Sequence, residues 1–176
     1  MSTRANPVWL VLPGVVFLLI ALTVGLVATG TVPEPYATPF FRLFFKDVLA
    51  MKAWLATAAV VLACGQLVTA GRMYTLFGFP PAGRFYNLLH RWSGRIAIVL
   101  TLPVAYHCIV MLGFGTSRPR VLIHSLLGSA LYGVFVAKVL IVRWILPLAG
   151  GLLFSILLGL WLTSALLFFS GHIPAT

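Results

Sequence analysis

Beyond its twelve Lys and Arg and five Tyr, this 176-residue chain has few groups able to bind a metal or exchange protons. They are four histidines, two cysteines and two acids. The acids, Glu34 and Asp47, stand well apart in sequence, so no paired-carboxylate mechanism is expected. Cys64 and Cys108 form no CxxC and read as reduced packing residues. That leaves the histidines. Three of them, His90, His107 and His124, fall in one stretch, LHRWSGRIAIVLTLPVAYHCIVMLGFGTSRPRVLIHSLL, from Leu89 to Leu127. Neutral imidazole is a metal ligand and, with an ordinary pKa near neutrality, a proton carrier. Inside an apolar segment an ionisable side chain is costly, which makes each of these a functional candidate.

The elements that hold them are set by composition. The chain is 61% hydrophobic and only 8% charged, with a mean hydropathy of +1.10. Soluble domains carry about 25% charged residues. The expected fold class is an all-α integral membrane protein, a five-transmembrane-helix bundle forming a single domain over residues 1–176. Its spans fall at about 7–31, 48–70, 92–114, 121–142 and 146–169, each near the ~20 residues a bilayer requires. The first apolar run is longer than the roughly 7–15 residues of a signal-peptide core and reads as a retained helix. The connection 32–46 carries Pro33, Pro35 and Pro39 and then FFRLFFK; the connection 71–89 carries FGFPPAG. Proline-rich, aromatic and basic, both suit a membrane interface.

The formal charge is +10. The basic residues lie in connections and at helix ends, so they read as lipid-facing and orienting groups, and nucleic acid is not an expected partner. Their distribution, led by Arg72, Arg84, Arg91 and Arg95, favours a cytoplasmic N-terminus in the cell membrane.

His107 lies six residues before the turn around Gly113–Thr116, and His124 eight after it. At about 1.5 Å per residue both sit ~10–12 Å below that turn. Two axial nitrogens at one depth are what a haem b edge-on between helices requires. Gly128 follows His124 by one turn on the same face and leaves room for a porphyrin, and Gly133 continues that lightly built surface. Arg118 and Arg120 stand at the same end, suited to carboxylates. The plainer reading is that these histidines hydrogen-bond neighbouring helices. A metal site without haem lacks the three or four ligands that zinc takes.

His90 is ~25 Å from His107 along the helix and ~100° around it. Interfacial capping, a hydrogen bond to a quinone carbonyl and ligation of a second haem beside Gly94 all stay open for it. His172 sits in the tail GHIPAT, as a loose end or a spare ligand. Pro103 is expected to kink the third span near His107. The tryptophans read mostly as an interfacial belt, Thr163 and Ser164 as interhelical hydrogen-bonders, and Lys52 and Lys138 as snorkelling cations.

LHRWSGRIAIVLTLPVAYHC followed by HSLLGSALYG resembles the core of membrane cytochromes b, in the cytochrome b561 and ferric-reductase-like transmembrane superfamily. There, four to six helices carry bis-histidine haem b. The pattern HRWSGR…YHC…HS…WLTSA, from about Gly71 to Phe169, is also similar to a five-helix actinobacterial membrane family. The first resemblance implies His107 and His124 as iron ligands, with His90 a weaker third. Its di-haem form needs two depth-matched histidine pairs, and this chain offers one.

The expected function is thus a haem b-binding membrane electron-transfer subunit, passing electrons between a quinone pool and a partner redox protein. The cofactors are one haem b, a second left open, and quinone. No GxGxxG is present, so any oxidoreductase activity would need partner chains with their own nucleotide-binding domain. The alternative is a non-redox assembly or anchor subunit of a membrane complex with structural histidines. Expected partners are the lipid bilayer, other redox or complex subunits, and further copies of the chain.

Overall fold

The computed structural model describes residues 8–30, 42–75, 78, 83–140 and 146–171. Within them the chain is all helical: α1 (Val8–Thr29), α2 (Val48–Met73), α3 (Arg84–Tyr106), a π-helical turn (His107–Met111), α4 (Pro119–Leu140), α5 (Leu146–Thr163) and a short α6 (Ala165–Phe169). Five helices are long and apolar enough to cross a membrane, with α3 and the π turn counting as one and α5 and α6 as another. The readings of Glu34, the first connection's prolines, Trp144 and His172 fall outside the described residues.

Local chemistry sets most helix ends. The Asp47 carboxylate accepts the Ala50 N–H at 2.6 Å and caps α2. After Met73 the chain leaves helical geometry, with Thr75 in the left-handed region at φ 53°. Gly83 is extended, and α3 starts directly after it. The break between the second and third helices is therefore shorter than the expected 71–89. Helix-breaking chemistry is confined to FGFPPAG; ArgPheTyrAsnLeuLeu after it contains no breaker and simply joins α3.

The helices pack in the order α3–α2–α5–α4–α1, and the π turn reaches α1. Consecutive α3 and α4 are thus not principal packing partners. The buried cluster sits where α2, α4 and α5 meet, around Ala63, Leu131, Val134, Leu153, Ile156 and Leu157. The opposite helix faces are apolar and open: Leu18, Leu22, Leu26, Val61 and Val99 are each more than half exposed.

Glycine sets one crossing. A Cβ at Gly133 would lie 2.7 Å from the Phe17 carbonyl oxygen and 2.8 Å from its ring, so α1 lies directly on α4 there. The lightly built face expected at Gly133 is filled by this helix. At the other end of the bundle the Gln66 side chain occupies the space beside Gly94, where a Cβ would come within 3.0 Å of its Oε1.

Candidate functional site

Three threonines organise the polar contacts inside the bundle. Thr57, Thr69 and Thr163 each direct the hydroxyl to a carbonyl of their own helix: Ala53 at 2.7 Å, Gly65 at 2.9 Å and Gly159 at 2.8 Å. Each then has oxygen lone pairs left for a neighbouring helix. The indole of Trp161 uses the first, donating Nε1–H to Thr57 Oγ1 at 2.8 Å. An indole nitrogen can only donate, so the direction of that bond is certain.

The same logic fixes two histidine rings. His124 Nδ1 is 3.0 Å from Thr163 Oγ1, and His90 Nδ1 is 2.8 Å from Thr69 Oγ1. With the hydroxyl donating to its helix carbonyl, the neutral ring donates from Nδ1 and carries its lone pair on Nε2; in the other tautomer Nδ1 accepts the hydroxyl proton.

The surroundings of the two rings differ. His124 lines a cavity of about 370 Å³ near the 112–118 turn, walled by α2, the π turn, α4 and the α5–α6 junction. It also lines a smaller cavity of about 70 Å³ deeper in the bundle. The two share Cys108, Ile109, His124, Gly128 and Ser164. Gly128 is open: a Cβ there would meet nothing within 4 Å. The cavity thus occupies the gap that α3 and α4 leave by packing on other helices.

Arg120 lines the cavity near its mouth and donates from Nη1 to the Thr163 carbonyl at 2.7 Å. That carbonyl precedes the point where the chain turns out of helical geometry, at Ser164 with φ −136°. Arg118 is exposed, outside the cavity wall, and its carbonyl accepts the Leu122 N–H at 3.0 Å. Thr163 makes the interhelical bond expected of it, whereas Ser164 Oγ bonds the Leu160 carbonyl of its own helix.

His107 begins the π turn. Its carbonyl accepts the Leu112 N–H at 3.1 Å, the five-residue step that defines such a turn. The ring is buried at 7% exposure but is not part of either cavity wall. The next residue, Cys108, is. Neighbouring helical residues differ by roughly 100° around the axis, so one of the two faces the gap and the other does not. His107 and His124 share an end of the bundle, but the cavity brings together His124, Arg120 and Gly128.

His90 lies at the opposite end. Gln66 Nε2 donates to the His90 carbonyl and, at 2.6 Å, to Ser93 Oγ, tying α2 to α3 around it. His90 lines neither cavity. Among the described residues no group of three or more His, Cys, Asp or Glu could hold a metal ion.

Two cavity residues were read differently in sequence. Lys52 counted as a snorkelling cation and Cys108 as packing. Both line the larger cavity, and the polar groups near the Cys108 thiol include the Lys52 ammonium, the His124 imidazole and the Tyr132 hydroxyl. Thr101, Val104, Ala105, Cys108, Ile109 and Leu112 form the α3 side of the gap. Their three- and four-residue spacing is a helical stripe that sequence could have revealed, with Cys108 inside it and His107 beside it.

The site joins an imidazole, two cations, a thiol and a largely apolar interior. No curated protein and no solved structure matches the chain. The sequence model of a family described as one of unknown function, DUF6529, matches residues 10–174, and the chain belongs to that family.

Proposed function

We propose that this protein is a multi-pass protein of the cell membrane, with a cytoplasmic N-terminus, that binds haem b and transfers electrons between the quinone pool and a partner redox protein. Five long apolar helices with exposed hydrophobic faces support the membrane reading. The haem reading rests on one observation: the His124 ring is tied to Thr163 through Nδ1 and lines the cavity that Gly128 keeps open. Metal-ligating histidines characteristically hydrogen-bond through their other ring nitrogen in this way.

When bound, haem b would supply one-electron chemistry at a potential tuned by its axial ligand and surroundings. The chain's own residues have distinct roles in this reading. Thr163 orients the ligand ring, Gly128 leaves room one turn below it, and Arg120 offers guanidinium N–H groups to carboxylates near the mouth. Leu131, Leu157 and Leu160 keep the deeper part dry. His107 matches His124 in depth yet stands outside the cavity wall, so the proposal rests on His124. His107→Ala distinguishes one-histidine from two-histidine ligation. Electron donors and acceptors would be partner chains.

The test is a reduced-minus-oxidised spectrum of protein purified from cells supplied with haem. A Soret band and an α-band are expected, both lost in His124→Ala. A colourless protein contradicts the proposal.

A specific observation favours a second reading, a non-redox anchor or assembly subunit. The His–Thr bonds resemble the Trp161–Thr57 bond, which clamps two helices without any ligand. That reading predicts a pigment-free protein that co-purifies with a larger complex.

A further inference from the structure

The cavity beside His124 has a charge pattern that iron chemistry does not require. Lys52 and Arg120 both line it. Asp47 is the one acid among the described residues; it caps α2 and does not line the cavity. Two cations thus face a partly enclosed space with no carboxylate among the described residues lining it. Holding cations in such a place is costly unless an anion or water meets them. Arg120 spends one N–H on the Thr163 carbonyl and, with five donors on its guanidinium, keeps others for a ligand.

Their depth is informative. Arg120 is the second residue of α4 and Lys52 the fifth of α2, so both lie within about 1.5 turns of helix starts at the same end. Below them the lining changes to Ala56, Val104, Ala105, Leu131, Leu157 and Leu160. The lower boundary is Tyr132, whose hydroxyl lies 3.0 Å from Thr101 Oγ1 and ties α4 to α3. From Arg120 to Tyr132 the helix rises ~18 Å. Cations thus stand toward the helix starts, with mostly apolar side chains below them. The larger cavity's 370 Å³ falls at the small end of ligand sites, which run roughly 300–1,000 Å³, and the separate cavity of about 70 Å³ beneath it shares part of its lining.

We infer that this cavity binds an anionic amphiphile, its carboxylate or phosphate head held by Lys52 and Arg120 and its apolar body directed toward the smaller cavity that Tyr132 lines. The inference stands apart from the haem proposal, because it needs no iron and no histidine ligand. The same head chemistry is offered by a single-chain lipid acid and by the propionates of a porphyrin.

The experiment uses the full chain in nanodiscs of zwitterionic lipid, with two matched probe pairs. One pair is a fluorescent anthroyloxy-stearic acid and its methyl ester; the other is iron-free protoporphyrin IX and its dimethyl ester. The acid of at least one pair should bind about tenfold or more tightly than its ester, as expected for a charge-assisted hydrogen bond. The pair that shows the preference identifies the source of the head group. Lys52→Gln and Arg120→Gln should each erase most of that preference, Lys52→Arg should keep it, and Arg118→Gln, outside the cavity, should leave it unchanged. Equal affinity of acid and ester in both pairs overturns the inference on the wild-type chain alone, whether or not a variant folds. A preference that survives both glutamine variants also overturns it. An acid preference in a chain that gives no Soret band with haem upholds this inference while removing the haem proposal.

Discussion

His124–Thr163 and His90–Thr69 are nearly the same device at opposite ends of the bundle. In both, a helix-bound threonine hydroxyl pairs with an imidazole Nδ1 and fixes the ring's orientation. Their surroundings differ. Beside His124 the helices part and Gly128 faces open space. Around His90 the Gln66 side chain bridges α2 and α3 and occupies the space beside Gly94. An oriented imidazole is therefore not by itself a ligand site; it becomes one where packing leaves a volume for the ligand. At the far end the same bond serves as a helix clamp.

The comparison can be broken by substitution, and the largest effect should come from the ligand itself. His124→Ala should abolish bound haem, read as loss of the Soret band, while His90→Ala keeps it. Equal loss in both variants would mean the two ends are not different in kind. Next comes the orienting hydroxyl. Thr163→Val should lower haem affinity by about 10–100-fold, the usual cost of losing a ligand's hydrogen-bond partner. Thr69→Val should leave haem titration unchanged.

Stability separates the packed glycine from the open one. Gly133→Ala forces a Cβ toward the Phe17 backbone and should cost about 1–3 kcal/mol. Gly128→Ala meets nothing and should be neutral or stabilising by up to about 1 kcal/mol. Denaturation of the purified protein in mixed micelles would measure both. At the ligand-free clamp, Trp161→Phe removes one neutral hydrogen bond, worth about 1 kcal/mol, with no effect on haem binding.

Much of this was legible in the sequence. Hydropathy located the five long helices, because spans of ~20 apolar residues are hard to mistake. Residue counting placed His107 and His124 near the same end, since helical rise is fixed. Facing was less legible. It depends on which helices are neighbours, and α3 chose α2 while α4 chose α1 and α5. Room beside Gly128 was expected from its place one turn after His124, but Lys52 on α2 as part of the wall was not, because that depends on which helices are neighbours. The His–Thr pairs join residues 21 and 39 positions apart, and nothing in composition or periodicity links them. The limits of the second connection shifted for a local reason: glycine and proline mark where a helix breaks but not how soon it resumes.

The central claim is that His124 coordinates a haem in the cavity beside Gly128. The most direct measurement is a pyridine haemochrome assay, set against protein concentration, on the wild type and on His124→Ala prepared identically. The account predicts one haem per wild-type chain and none in the variant. A wild-type chain without haem, or a His124→Ala chain that keeps its full complement, would contradict it.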